Sequence, residues 1–327
     1  MSATSENLAR RSDLLCALRL FFLERGFVEV ETPLLSVEVI PELHVEPICV
    51  AYAEGDSREP TARRLWLQAS PELHMKRLLA EGMEAIFQVT RSFRGGERGP
   101  LHNPEFTIVE WYRAGDDRHA GSMHAGIELI DELLQNLLAT GPAVRTSYAA
   151  AFEKHVGADP HRATPGQLAS RAAELDLAVP AGMRTDDRDE WLNLLLALKV
   201  EPELGRAGPE ILYDYPQSQA ALAKIAQRED GRRVAERFEL YWHGVELANG
   251  YHELTDAEEL RQRLVAVSEA RAADGRELLP LPESLLAAMK GGLPASTGCA
   301  LGFDRLAMLA CGAESIDEVM TFPQGVV

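Results

Sequence analysis

An arginine followed by two glycines at the tip of a predicted hairpin is the sequence feature with the clearest chemical potential. Arg94 follows an apolar run that begins at Ala85, and Gly95 and Gly96 come directly after it. A second apolar run begins at Phe106, so the pattern predicts two strands joined by a long loop rich in glycine and proline. A guanidinium can donate two hydrogen bonds to a phosphate, and glycine lets the backbone approach a nucleotide closely. The loop is therefore predicted to bind phosphate; a solvated surface hairpin is the alternative.

Two glutamates are predicted to share one face of a second hairpin. His243 and Gly244 form a plausible two-residue turn, and pairing across it sets Tyr241 opposite Glu246. Glu239 then lies on the same face as Glu246 and diagonal to it, about 7–8 Å away at Cα. Such a carboxylate pair suits Mg²⁺ that also binds triphosphate oxygens. Two exposed glutamates on a polar sheet face are the alternative.

Two further segments carry polar groups on a defined scaffold. Ser70 is a predicted N-cap, Pro71 the first helical residue, and Glu72 lies in the first turn, where the helix dipole favours a carboxylate. A later strand is predicted to carry three polar side chains on one face, because strand residues two apart point the same way: Asn249, Tyr251 and Glu253. Taken alone, both patterns are also compatible with purely structural roles.

Near the C-terminus, a glycine-spaced strand runs directly into a predicted helix. The segment is GCALGFDRL, from Gly298 to Leu306, with the helix from Asp304 to Leu309. Arg305 falls in the first turn of that helix. The pattern predicts a guanidinium at the start of a helix that follows a strand directly.

Composition limits the class of protein. The 327 residues are 46% hydrophobic and 26% charged, which predicts a globular chain of one large or two ordinary domains. The formal net charge is −18, from 33 basic and 51 acidic residues, and this disfavours non-specific attraction to nucleic acid. The sequence contains no apolar run long enough to span a membrane. Its four cysteines show neither zinc spacing nor C-x-x-C pairing, which indicates reduced thiols and a cytoplasmic protein.

These segments resemble the three motifs of the class II aminoacyl-tRNA synthetases, and specifically their lysyl branch. The N-terminal helix and the strand that leads to Pro33 resemble motif 1, RSFRGGERGPLHNPEFTIVEWYR resembles motif 2, and GCALGFDRL resembles motif 3. The resemblance covers essentially the whole chain. It implies an α+β fold in which an antiparallel sheet is flanked by helices, and a homodimer formed through motif 1. Residues 1–327 would form a single catalytic domain, with a helical insertion at about 141–233 that contains one strand at Ile211–Tyr215.

The resemblance also implies roles for individual residues. Arg94 and Arg305 would be catalytic, and Glu239 and Glu246 would bind Mg²⁺. The implied ATP-binding residues are Arg94, Gly95, Gly96, Glu97, Asn103, Phe106, Glu246, Leu247, Gly302 and Arg305. The implied amino-acid pocket consists of Ser70, Pro71, Glu72, Glu110, Tyr112, Asn249, Tyr251, Glu253 and Ala300. Three glutamates in one pocket predict a substrate with more than one amino group, because a neutral ligand would leave buried carboxylates unpaired.

Two positions depart from the synthetase pattern. The family has glutamate where this chain has Gly96, so either Glu97 or the backbone would contact the adenine amino group. The family has glycine where this chain has Ala300. A methyl group on the pocket floor is expected to disfavour α-lysine. It is expected to suit an isomer whose amino group is displaced from the α-carbon.

The position of motif 1 restricts which molecule could accept the activated amino acid. Motif 1 begins within the first few dozen residues, which leaves no room before it for the anticodon-binding barrel of lysyl-tRNA synthetases. Together with the acidic balance, this predicts that tRNA is not the acceptor. The chain resembles the elongation factor P β-lysine ligases, a family of lysyl-tRNA synthetase paralogues. This implies an ATP- and Mg²⁺-dependent ligase that activates (R)-β-lysine and transfers it to a lysine side chain of elongation factor P.

Three other functions stay open on the sequence. The first is a truncated lysyl-tRNA synthetase that acts on tRNA. The second is an amide synthetase of the aspartate–ammonia type, which the lysyl-like segment NGYHE disfavours. The third is a regulatory paralogue without catalysis, although the phosphate- and metal-binding residues are all present: Arg94, Arg305, Glu239 and Glu246.

Overall fold

The computed structural model describes residues 3–54, 61–116 and 120–325. The helices are α1 (Ser5–Glu24), α2 (Glu72–Ala80), α3 (Met123–Leu138), α4 (Tyr148–His155), α5 (Pro165–Glu174), α6 (Arg188–Leu195), α7 (Ala257–Ala273), α8 (Glu283–Gly292) and α9 (Phe303–Ala310). The strands are β1 (Val28–Glu29), β2 (Leu35–Ser36), β3 (Cys49–Glu54), β4 (Thr61–Leu67), β5 (Ala85–Phe93), β6 (Glu105–Ala114), β7 (Val144–Ser147), β8 (Glu210–Pro216), β9 (Ile225–Gln227), β10 (Arg233–Trp242), β11 (Val245–His252) and β12 (Ser296–Gly302). Within the described ranges, no helix combines the length and apolarity that crossing a membrane requires.

The chain divides into two compact units. The first comprises Met1–Gly121 and Leu254–Val327, and the second comprises Ser122–Glu253. This division does not test the prediction of a single catalytic domain, which stays a prediction.

The first unit contains the phosphate-loop hairpin that the sequence predicts. Its main sheet has the order β1–β5–β6–β12, in which β5–β6 and β6–β12 are antiparallel and β1–β5 is parallel. A smaller antiparallel sheet has the order β2–β4–β3. Helix α1 covers the main sheet with aromatic side chains: the ring centroid of Phe22 lies 4.8 Å from that of Phe87 and 5.1 Å from that of Trp111. This packing fixes the strands on either side of Arg94, and it confirms the predicted α+β class.

The second unit has its own strand order and its own core. Strands β11–β10–β8–β7 are neighbours in that order, and β9 pairs with β10. Helices α4, α5 and α6 pack their apolar faces onto these strands around residues such as Tyr148, Phe152, Trp191 and Tyr215.

The predicted helical insertion at 141–233 is only partly helical. The strand expected at Ile211–Tyr215 is confirmed as β8, but β7 and β9 were not predicted. Strand β7 has four residues and pairs in parallel with β8, and β9 has three and pairs with β10. Segments this short carry too few alternating residues for a period of two to be recognised in the sequence.

Candidate active site

In the first unit, the loop between β5 and β6 is held at both of its ends. The Arg94 amide donates to the Pro104 carbonyl at 2.9 Å, and the Gly95 amide donates to the Glu46 carbonyl at 2.7 Å. Further along, Arg98 Nη2 lies 2.7 Å from Asp317 Oδ2. Gly96 has φ +78°, a left-handed conformation that favours glycine. Gly96, the residue that departs from the synthetase pattern, therefore allows the loop to turn at this position.

Arg94 lies close to Phe106 of β6 and to Glu97 of the loop, both of which are predicted ATP-binding residues. Its guanidinium carbon is 5.1 Å from the centroid of the Phe106 ring, and Nη1 is 3.9 Å from Glu97 Oε1. Arg94 Nε is buried and has no hydrogen-bond partner among the described residues. A planar cation on an aromatic face, with an N–H still available, is suited to donate a hydrogen bond to a phosphate oxygen.

Arg305 lies on the other side of the loop, in the first turn of α9. Its Nε donates to the Leu101 carbonyl at 3.2 Å, and its Nη2 lies 2.8 Å from His102 Nε2. Burial and the charge of Arg305 lower the pKa of His102, so a neutral imidazole accepts this hydrogen bond. His102 was not predicted as a site residue, although it is the first residue of the HNPEF segment that contributes Asn103 and Phe106.

The start of α9 is fixed by the residue before Arg305. Asp304 is 2% exposed; its Oδ2 accepts a hydrogen bond from the Thr107 amide at 2.7 Å, and Arg11 Nη2 of α1 lies 2.6 Å from its Oδ1. Gly302 is the N-cap residue of the same helix. These contacts join α9 to β6, so Arg305 projects from a helix whose first turn is anchored.

Asn103 occupies a structural position in the loop. Its Nδ2 donates to the Glu105 carbonyl at 2.6 Å, and its Oδ1 accepts from the Gln324 amide at 3.0 Å. Both ends of the amide are thus bonded to backbone. Its predicted contact with ATP stays a prediction.

A buried carboxylate, Glu110, forms the centre of the predicted amino-acid pocket in the first unit. Ser70 Oγ donates to its Oε2 at 2.8 Å, and Tyr112 Oη donates to its Oε1 at 2.6 Å. Ala300 is its direct partner across the β6–β12 ladder. Burial, and then the charge of Glu72, raise the pKa of Glu110 to about 8. The predicted pocket residues Ser70, Glu110, Tyr112 and Ala300 are thus assembled at one place.

Glu72 has a charged partner that was not predicted from the sequence. Lys76, one helical turn later and 3% exposed, places Nζ 2.5 Å from Glu72 Oε1. An i,i+4 pair of opposite charge on a helix was the available signal. The protein therefore supplies one ammonium group to its own acidic pocket.

The predicted start of α2 is one residue too early. The helix begins at Glu72, and Pro71 occupies the N-cap position instead of the first helical position. Ser70 Oγ still accepts from the Glu72 amide at 3.1 Å while it donates to Glu110. This second bond draws Ser70 toward the pocket and out of the helix.

In the second unit, the predicted hairpin turn at His243–Gly244 is confirmed. Both residues have positive φ, 54° and 75°, and Tyr241 pairs with Glu246. The register then shifts, so that Glu239 pairs with Asn249 and Leu247 is an extra residue in β11. This bulge was not predicted. It brings Glu246 to the face of Asn249, whereas strict alternation would turn Glu246 to the opposite face.

Glu239, one of the two predicted metal ligands, is bonded to three side chains. Its Oε2 accepts hydrogen bonds from Tyr215 and Tyr241 at 2.5 Å each, and Arg237 Nη2 donates to its Oε1. The Arg237 guanidinium lies 4.5 Å from the Tyr215 ring centroid. Tyr215 comes from the predicted insertion and Arg237 from β10, and neither was predicted to contribute to the site.

The Glu239–Glu246 pair fits a Mg²⁺ ion that arrives with its own oxygens. Two hydroxyls and one guanidinium use three of about four acceptor positions of the Glu239 carboxylate. Mg²⁺ is usually held by one or two carboxylates together with water and phosphate oxygens. Within the part of the chain that the structure describes, no group of three or more histidine, cysteine, aspartate or glutamate residues is arranged to hold a metal. Glu239 and Glu246 could therefore provide only part of the coordination of a Mg²⁺ ion.

The remaining predicted pocket residues follow Glu246 in the second unit. Asn249 Nδ2 donates to Tyr251 Oη at 3.2 Å, and the Arg237 guanidinium lies 6.0 Å from the Tyr251 ring centroid. Glu253 is 1% exposed and follows β11 directly. Asn249 and Tyr251 share one face, as predicted, and Glu253 is a buried carboxylate.

Comparisons with known proteins identify the family of this chain. Residues 1–325 match the family model of the class II tRNA synthetases for D, K and N. A protein of Klebsiella pneumoniae subsp. pneumoniae named elongation factor P–(R)-β-lysine ligase is 46% identical over 98% of this chain and 96% of its own length. Proteins with the same name from Salmonella paratyphi B and Salmonella schwarzengrund are each 45% identical over the same shares. The chain belongs to the class II tRNA synthetase family and, within it, to the elongation factor P–(R)-β-lysine ligases.

Proposed function

We propose that this protein is an ATP-dependent ligase that activates (R)-β-lysine and transfers it to a lysine side chain of elongation factor P. Its relatives carry that name over nearly their whole length. The observation that carries the substrate assignment is the buried Glu110 paired across the sheet with Ala300. An acidic pocket calls for a cationic amine, and the added methyl group disfavours the α-amino geometry that a glycine would admit.

The first step forms a mixed anhydride. A carboxylate oxygen of the amino acid attacks the α-phosphorus of ATP, the bond from that phosphorus to the bridging oxygen breaks, and pyrophosphate leaves. Arg94 stabilises the charge that develops on the α-phosphate, and Arg305 binds the departing pyrophosphate. Such chemistry depends on positioning and electrostatic stabilisation and requires no covalent enzyme intermediate. Glu239 and Glu246 would hold Mg²⁺, which would neutralise part of the negative charge on the triphosphate.

The second step forms an amide. The uncharged ε-amine of the acceptor lysine attacks the anhydride carbonyl, AMP leaves, and the amine gives up one proton. We assign contacts with the amino groups of the substrate to Glu72, Glu110 and Glu253, and further contacts with the amino acid to Ser70, Pro71, Tyr112, Asn249 and Tyr251. The remaining ATP contacts are assigned to Gly95, Gly96, Glu97, Asn103, Phe106, Leu247 and Gly302.

We propose further that the enzyme is a cytoplasmic homodimer. Leu20 and Leu23 of α1, Val28 of β1, and Leu34 and Leu35 beyond it are all exposed. An apolar surface of this kind on one helix and the strand that follows it suits burial against a second copy. A translation factor as acceptor requires an enzyme in the cytoplasm.

ATP–pyrophosphate exchange tests the activation step and its selectivity. We expect (R)-β-lysine to support exchange at least about tenfold better than L-lysine, because one methyl group in a pocket changes selectivity by about 10- to 200-fold. Ala300→Gly should shift the ratio toward L-lysine by about tenfold.

A control variant comes from the same strand. Cys299→Ala changes the neighbouring residue, whose side chain points to the opposite face, and the isomer ratio should stay as in the wild type. Equal exchange with both isomers by the wild type, or a preference for L-lysine, would defeat the substrate assignment.

A further inference from the structure

Arg271 is a buried cation that the chemistry above does not use. It lies in the last turn of α7 and is 0% exposed. Its Nη1 donates to the carbonyl oxygens of Glu42 at 2.9 Å and Val45 at 3.1 Å, and its Nη2 donates to Glu46 Oε2 at 2.9 Å. A buried charge is tolerated only when it is hydrogen-bonded. Arg271 and the backbone of residues 42–46 therefore hold each other in place.

The 42–46 segment depends on such contacts for its position. It contains no helix and no strand beyond a single bridge at Glu46. Arg276, just after α7, donates to the carbonyl oxygen of Leu43. Because the segment has no ladder of its own, side-chain donors from the end of α7 satisfy its carbonyl groups.

The last residue of this segment contacts the predicted nucleotide loop. The Glu46 carbonyl accepts from the Gly95 amide at 2.7 Å, and the two residues form an antiparallel bridge. A Cβ atom at Gly95 would lie 3.2 Å from that carbonyl oxygen, a contact tight enough to push the two strands of the bridge apart. Arg271 binds the Glu46 carboxylate and the preceding carbonyl, which leaves the Glu46 carbonyl free for Gly95.

We propose that Arg271 is a positioning residue for the ATP-binding loop. It fixes Glu46, Glu46 fixes Gly95, and Gly95 determines where the neighbouring Arg94 presents its guanidinium to the triphosphate. The final link rests on the proposed function, whereas the contacts from Arg271 to Gly95 are independent of it. The pocket around Glu110 is built on the β6–β12 ladder, so the effect should fall on ATP and spare the amino acid.

The test compares Arg271→Met with Arg261→Met. Arg261 is on the same helix and makes an exposed pair with Glu283, so its loss controls for removing a cation from α7. In Arg271→Met we expect faster amide hydrogen exchange at Gly95 and a KM for ATP raised about tenfold in pyrophosphate exchange, because small misplacements of catalytic groups are costly. The KM for (R)-β-lysine should change less than about twofold, and Arg271→Lys should recover part of the loss.

Two outcomes separate this inference from a purely structural role. A lowered melting temperature with Gly95 protection and the KM for ATP both unchanged would overturn it. If Arg271→Met does not fold, Glu46→Ala removes the same contact from its exposed end and should raise the KM for ATP about threefold; an unchanged KM there would also overturn it. Wild-type protein without any exchange activity would contradict the proposed function, while loss of Gly95 protection in Arg271→Met would still support the positioning role.

Discussion

Replacing Arg94 by alanine is expected to lower kcat for ATP–pyrophosphate exchange about 10³-fold, because the guanidinium stabilises the charge that develops on the phosphoryl group in the transition state. Arg94→Lys keeps the charge but loses the planar fork, so we expect an intermediate loss. The fold should be unaffected, because the side chain is 30% exposed and its contacts are to Phe106 and Glu97 at the surface. Thermal melting checks this second expectation.

Arg91 provides the matched control for Arg94. It lies on the same hairpin and makes an exposed 3.7 Å pair with Glu105, an interaction of small energetic value. Arg91→Ala should leave kcat within about threefold of wild type. An Arg94→Ala enzyme with near-normal kcat would show that the loop does not bind the reacting phosphate.

The ionisation of Glu110 is expected to govern the pH dependence of amino-acid use. With its pKa raised to about 8 by burial and by Glu72, most of the free enzyme carries neutral Glu110 at pH 7. A cationic amine binds best to the carboxylate, so kcat/KM for (R)-β-lysine should rise about tenfold per pH unit from about pH 6 and level off near pH 8. Glu110→Gln should lower kcat/KM at pH 8 about 100-fold and flatten the profile.

Ionisation of Glu110 is expected to lower the stability of the fold, whereas it raises kcat/KM. Its pKa is higher in the folded than in the unfolded chain, so its contribution to stability is complete below the unfolded pKa and is lost as pH rises toward the folded value. Glu110→Gln, which stays neutral, should therefore have a higher melting temperature than the wild type at pH 8 and nearly the same melting temperature at pH 4.5.

For the activity, a wild-type kcat/KM profile that is flat between pH 6 and 8 would contradict a protonated Glu110.

The sequence predicted the elements of the site because the relevant signals are local. Apolar runs around the Gly- and Pro-rich loop defined the hairpin of Arg94, and the His243–Gly244 pair defined the register that sets Tyr241 opposite Glu246. The bulge at Leu247 was missed because an extra residue in one strand leaves no mark in composition. That bulge nevertheless decides that Glu246 and Asn249 lie on the same face of the strand.

Contacts between distant parts of the chain were beyond the reach of the sequence. Arg271 meets Glu46 across 225 positions, and Arg305 meets His102 across 203. Tyr215 on β8 was predicted as part of a strand, but nothing in its neighbours indicated that its hydroxyl bonds Glu239. Tertiary packing alone brings these partners together.

Intact-mass measurement of elongation factor P tests the central claim most directly. The factor would be incubated with enzyme, ATP and Mg²⁺ and with (R)-β-lysine or L-lysine, and a parallel reaction would contain tRNA in place of the factor. We expect the factor to gain the mass of one lysyl residue on a single lysine side chain, with (R)-β-lysine strongly preferred and tRNA unchanged. An unmodified factor, or aminoacylated tRNA in its place, would contradict the account.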